Sequence, residues 1–215
     1  MNIFAKLSIL VAVVLSAPVA VAQLADGSEE SLDPKMSQFK EACLTERKAA
    51  AEKSQLAMMK AHKLFKGIKT EPFKYEVVSE TPKESLGKAV MEFTPEYCEY
   101  LIKNQYSIVP MDSLDAMRET PDACDVMTDS FSLQPISGVA ISIRARGKCA
   151  MLVISEDGMP LTVSSSIDGN PLMFNTENDG TVNWKTWELP RTFRNMEFKI
   201  ENPNDRTVSF VIAVQ

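Results

Sequence analysis

Between Gly138 and Arg146 the chain alternates Val139, Ile141, Ile143 and Ala145 with Ala140, Ser142, Arg144 and Arg146. A period of two marks a strand with one buried face and one wet face. Six further β-like runs follow: Cys149 to Ser155, Leu161 to Ile167, Leu172 to Thr176, Thr181 to Leu189, Met196 to Glu201 and Thr207 to Val214. Glu156-Asp157-Gly158, Asp168-Gly169-Asn170, Asn178-Asp179-Gly180 and Asn202-Pro203-Asn204-Asp205 punctuate them as turn signals. Seven short strands in about 85 residues predict an antiparallel, jelly-roll-like β-sandwich over 131–215.

The first half has a different period. Asp33-Pro34 is an N-cap followed by a first-turn proline. Good helix formers then continue to Lys66, closed by Gly67, so the stretch predicts one long helix or two joined near Ala50. Its apolar positions, Met36, Phe39, Cys43, Leu56, Met59 and the pair Leu64-Phe65, recur mostly at steps of three and four. His62 stands among Lys60, Lys63 and Lys66 and reads as a surface side chain. Farther on, Phe73 to Val78 predicts a short strand ended by Thr81-Pro82, and Thr94-Pro95 starts a helix to about Gln105. A short helix is expected around Leu114 to Met117. Asp122, Asp125 and Asp129 lack the alternation and turn glycine of a calcium loop and read as a solvated helix start. The fold class is therefore α+β, with a mainly helical region over 33–129 ahead of the sandwich.

The extreme N-terminus adds a processing signal. Met1 to Ala22 has a lone cation, Lys6, then an apolar run from Leu7 to Leu15, Pro18, and small residues at Ala20-Val21-Ala22. This pattern predicts a secretory signal peptide cleaved after Ala22, a leader over 23–32, and a periplasmic or secreted protein with no later membrane span. The 215 residues carry 23 basic and 29 acidic side chains, a net charge of −6. Loss of Lys6 with the leader makes it −7, a balance that disfavours nucleic acid and anionic membrane surfaces as partners.

An oxidising compartment would let Cys43, Cys98, Cys124 and Cys149 pair in any of three ways. Cys98 with Cys124 and Cys43 with Cys149 is the expected arrangement, the first closing a loop worth about 3 kcal/mol. With one histidine and no C-x-x-C spacing, no metal or other cofactor is expected.

Leu152-Val153-Ile154-Ser155-Glu156-Asp157-Gly158, a strand entering an acidic-glycine turn, and the closing hairpin Phe198-Lys199-Ile200-Glu201-Asn202 with Val208-Ser209-Phe210-Val211-Ile212 resemble the bacterial pre-peptidase C-terminal β-sandwich modules. The likeness covers about the last 80 residues, in a β-sandwich pattern many jelly rolls share. It implies a non-catalytic accessory role in folding, secretion or substrate contact. Such modules sit beside a protease domain, and none precedes the sandwich in this sequence.

Three functions follow in order. The first is an exported non-catalytic binding or assembly module for a protein partner. Its candidate surface is Met58, Met59, Leu64 and Phe65, although packing on their own domain is the favoured reading of these side chains. The second is a carbohydrate-contacting module using Trp184 or Trp187. Their odd separation puts the two rings on opposite faces of one strand. A secreted hydrolase is third, because Ser164-Ser165-Ser166 has no G-x-S-x-G turn and the sole histidine is distant in sequence.

Overall fold

The structure, a computed structural model, describes residues 31–106 and 124–215. The expected signal peptide, the expected leader up to residue 30 and the helix expected around Leu114 to Met117 lie outside the described residues.

Three helices form where the caps place them. In α1 (Pro34–Glu52) Asp33 Oδ1 accepts the Lys35 N–H at 2.9 Å, and Pro34 fills the first turn. The junction expected near Ala50 falls at Lys53, whose φ of 51° leaves the helical region. Ser54 then caps α2 (Gln55–Lys66), and Thr94 caps α3 (Pro95–Gln105) by accepting the Tyr97 N–H at 3.1 Å.

Twelve strands occur among the described residues, three of them between α2 and α3 and the rest after α3: β1 (Thr70–Glu71), β2 (Glu76–Thr81), β3 (Leu86–Lys88), β4 (Val126–Leu133), β5 (Ser137–Ala145), β6 (Lys148–Ser155), β7 (Thr162–Ile167), β8 (Asn170–Met173), β9 (Asn175–Glu177), β10 (Val182–Glu188), β11 (Arg194–Asn202) and β12 (Val208–Val214). Sheet A runs β1-β4-β12-β6-β10-β9, with β3 also on β4; sheet B runs β2-β5-β11-β7-β8. Every pairing is antiparallel except β1 with β4.

The result is three layers: helices, sheet A, sheet B. Phe131, Val153, Phe198, Phe210 and Ile212 fill the space between the sheets. On the other side of sheet A, Leu152, Ile154, Val182, Val211 and Ala213 meet Met36, Phe39, Met58 and Phe65 of the helices. Sheet A is thus covered on both faces, and its central strands β6 and β12 are continuous apolar runs instead of alternating ones. Among the described residues sheet B is covered on one face, and β5 and β11 keep the period of two. Polar ties fix α1 on the sheet: Arg47 Nη1 donates to the Ser155 carbonyl at 3.0 Å, and Lys40 pairs with Glu177 at 3.0 Å.

Several expectations are corrected. The sandwich does not begin at Phe131, since β1, β2 and β3 join it from the preceding region and β4 starts at Val126. Of the acidic cluster, Asp122 lies outside the described residues, and Asp125 and Asp129 start no helix: Asp125 Oδ2 accepts the Lys69 N–H at 2.9 Å, and Asp129 lies in β4 paired with Lys88. The run Leu172 to Thr176 splits at Phe174, where the chain passes from β8 in sheet B to β9 in sheet A.

The expected disulfides are absent, and all four thiols are free. Cys43 and Cys98 lie in the helix-side core, whereas Cys149 packs toward the inter-sheet core, so sheet A separates Cys43 from Cys149. Cys124 stands at the start of β4, its thiol donating to the Val126 carbonyl at 3.3 Å, while Cys98 is turned into the helix layer.

Candidate functional site

The helix residues singled out from the sequence serve the interior. Met58 and Phe65 are buried, Phe65 standing edge-on to Phe39 with ring centroids 5.9 Å apart, and Met59 and Leu64 pack partly against the same core. The exposed apolar side chain of α2 is Leu56, at 80% exposure. His62 also turns inward and is not a surface side chain; its Nε2 lies 2.9 Å from Glu99 Oε1. The reason is spacing: 58, 62 and 65 share one helical face, and this outweighs the flanking lysines. The His62 hydrogen bond, with Lys66 and Lys103 nearby, holds the Glu99 carboxyl below its usual range.

Trp184 and Trp187 do face opposite sides of β10. Trp187 packs between the sheets against Phe174 and Phe198. Trp184 packs toward the helices, its Nε1 donating to Glu177 Oε1 at 2.6 Å beneath Lys40. Neither ring reaches the outer face of sheet B. Ser164, Ser165 and Ser166 lie on β7 of that sheet, and His62 lies in the helix layer, with sheet A between them.

A buried carboxyl cluster sits where α1 meets sheet A. Glu46 continues the inward stripe of Met36, Phe39 and Cys43 and is only 3% exposed. Burial, then repulsion from Glu92 and Glu156, pushes its carboxyl up to about 8, against a smaller opposing pull from Arg47. Glu156 is raised to about 7, chiefly by burial and despite the Ser130 hydroxyl that donates to it at 3.0 Å. Its second oxygen is buried with no partner. Burial also raises the nearby thiols, Cys98 to about 12. Buried thiols that hold their protons at neutral pH are inert as nucleophiles, and the carboxyls beside them are closed off by the same packing, so the cluster reads as a determinant of stability.

The open chemistry lies on the other side of the molecule, on sheet B. Its outward positions are Ser142 and Arg144 on β5, Asn195, Glu197 and Lys199 on β11, and Thr162 and Ser164 on β7. No helix covers this face among the described residues. At one end, Gly147 makes the β5–β6 turn with φ +69°, a conformation that favours glycine. The Gly147 N–H donates to the Pro190 carbonyl at 3.2 Å, and its carbonyl accepts the Leu189 N–H at 2.8 Å. These bonds lock the turn to the connection between β10 and β11.

This clamp brings Arg146 and Phe193 together. Arg194 pairs with Ala145 at the end of the β5–β11 ladder, and Phe193 stands one step beyond. The guanidinium carbons of Arg146 and Arg144 lie 4.5 and 5.2 Å from the Phe193 ring centroid, within cation–π range. Phe193 remains 52% exposed. Beside it opens a cleft of about 880 Å³ whose lining includes Lys74, Ser142, Arg144, Phe193 and Arg194. Arg194 is tied to Asp168 at 3.1 Å. The sequence shows Arg144 and Arg146 as outward residues of a strand, but only the pairing of β5 with β11 puts Phe193 against them.

No known family's model matches the chain, and no curated protein matches it either.

Proposed function

We propose that this is an exported, non-catalytic module that works by contact with another protein, through the outer face of sheet B around Phe193. One observation carries the reading. A half-exposed phenylalanine flanked by two arginines stands beside an open cleft, on the one sheet face that the helices leave uncovered among the described residues. Aromatic residues and arginine are the side chains most enriched where protein interfaces concentrate their binding energy. The Gly147 clamp presents this group in a fixed geometry, which lowers the ordering cost of binding. The leader pattern of Met1 to Ala22 supports export. The likeness of the last 80 or so residues to pre-peptidase modules supports an accessory role for a β-sandwich of this kind.

The test compares Phe193→Asp with Leu56→Asp, two exposed apolar positions on opposite layers. Both variants should fold, and only Phe193→Asp should lose the partner that co-purifies with the wild-type protein. Loss of that partner from Leu56→Asp alone would move the contact to the helices and refute the assignment.

A further inference from the structure

We infer that the Phe193 surface takes an acidic polypeptide segment, whose carboxylates are held by Arg144 and Arg146. This rests on the reading of that face as a protein contact and adds the chemistry of what it contacts.

The charge distribution is the starting point. The chain as a whole carries −6, yet the β5–β6 hairpin exposes Arg144, Arg146 and Lys148, the β10–β11 connection exposes Arg191, and the first residue of β11, Arg194, is exposed as well. Two of these five have acidic neighbours: Arg194 pairs with Asp168, and Lys148 stands opposite Glu188 in the β6–β10 ladder. Arg144, Arg146 and Arg191 have no ion-pair partner among the described residues. A positive end on a negative molecule orients an incoming anion toward that end and repels it elsewhere.

The chemistry of the group narrows the ligand. Guanidinium is planar and offers paired N–H donors that match a carboxylate. The stack on Phe193 restrains the side chains of Arg144 and Arg146, leaving less freedom to lose when an anion binds. The neighbouring cleft adds the Lys74 ammonium and the Ser142 hydroxyl as further donors; its own acids are Asp168, taken up by Arg194, and Glu76. A flat anionic bilayer fits less well, because it would also face the excess acids of the remaining surface.

The experiment uses the processed protein and a fluorescein-labelled hexaglutamate peptide, read by anisotropy, with phosphatidylglycerol vesicles and polygalacturonate as parallel arms. The peptide should bind at low ionic strength and weaken as salt is added. Arg146→Ala and Phe193→Ala should each weaken it by about tenfold, the scale of one charge-assisted contact. Arg146→Lys should also weaken it, since it keeps the charge and loses the fork. Lys63→Ala, an equal loss of charge on the helix layer, should change nothing, and urea midpoints establish that each variant is folded. Equal weakening by Lys63→Ala, or binding of the vesicles or the polyuronate with no binding of the peptide, would overturn the inference. A partner lost on Phe193→Asp that hexaglutamate neither mimics nor displaces would overturn the acidic class while leaving the contact surface standing.

Discussion

Replacing Glu46 by glutamine should remove a pH-dependent weakness from the interface between α1 and sheet A. A carboxyl moved from 4.5 to about 8 corresponds to about 5 kcal/mol against ionisation in the folded state. Because only part of this shift is titrated between pH 5 and pH 8, the linked change in stability over that window is about 3 kcal/mol. The folded chain holds the proton more tightly than the unfolded one. Stability is therefore fully present below the unfolded value near 4.5 and is lost as pH rises through about 8. Glu156, raised to about 7, adds a loss of the same sign. Glu99 and Glu177 are lowered, so they weaken the fold only as pH falls and leave this window untouched. Urea unfolding can be followed by fluorescence of Trp184 and Trp187, which report the helix-side and inter-sheet cores. The wild-type protein should be less stable at pH 8 than at pH 5. Glu46→Gln should match it within about 1 kcal/mol at pH 5 and exceed it by about 3 kcal/mol at pH 8. A wild-type stability that rises over this range, or a glutamine variant that follows the wild-type slope, would refute the reasoning.

Other outcomes follow from the same packing. Phe198→Ala removes a fully buried ring between the sheets, in contact with Trp187 and Phe174, and should cost about 3–5 kcal/mol, read as a lower urea midpoint. A thiol reagent should modify Cys124 and Cys149 in the native protein before Cys43 and Cys98, which are fully buried, and all four should react in denaturant. Four unreactive cysteines in denaturant without reductant would mean disulfides after all. N-terminal sequencing of the protein from its native source should begin at Gln23; a retained Met1 would remove the support for export.

The parts of the fold that the sequence made legible are those where one physical rule acts alone. Asp33-Pro34 and Thr94-Pro95 start helices because side-chain caps and proline act locally. Strands β5, β6, β10, β11 and β12 appear within a few residues of the expected runs, because their inward faces must be apolar. The contrast between the unbroken run of β6 and the alternation of β5 already encodes that sheet A has two covered faces and sheet B one. The short strands β1 and β3 are held by a neighbour, β4, more than by any pattern of their own, so they leave little trace in the sequence.

The site was less legible for the same reason. The Met58 and Phe65 stripe reads as core from its spacing and is core, although the sheet it packs on arrives from distant sequence. His62 and Glu46 carry the inward spacing, but their chemistry reads as surface until that spacing is given priority over residue type. Phe193 meets Arg146 only through the β5–β11 ladder, a long-range pairing that local patterns do not specify.

Photo-crosslinking from position 193 tests the central claim most directly. With a benzophenone side chain at 193, and separately at 56, the protein should form an adduct with its partner from 193 and none from 56 in its native compartment. An adduct from position 56 with none from 193 would contradict the assignment of the outer face of sheet B as the working surface.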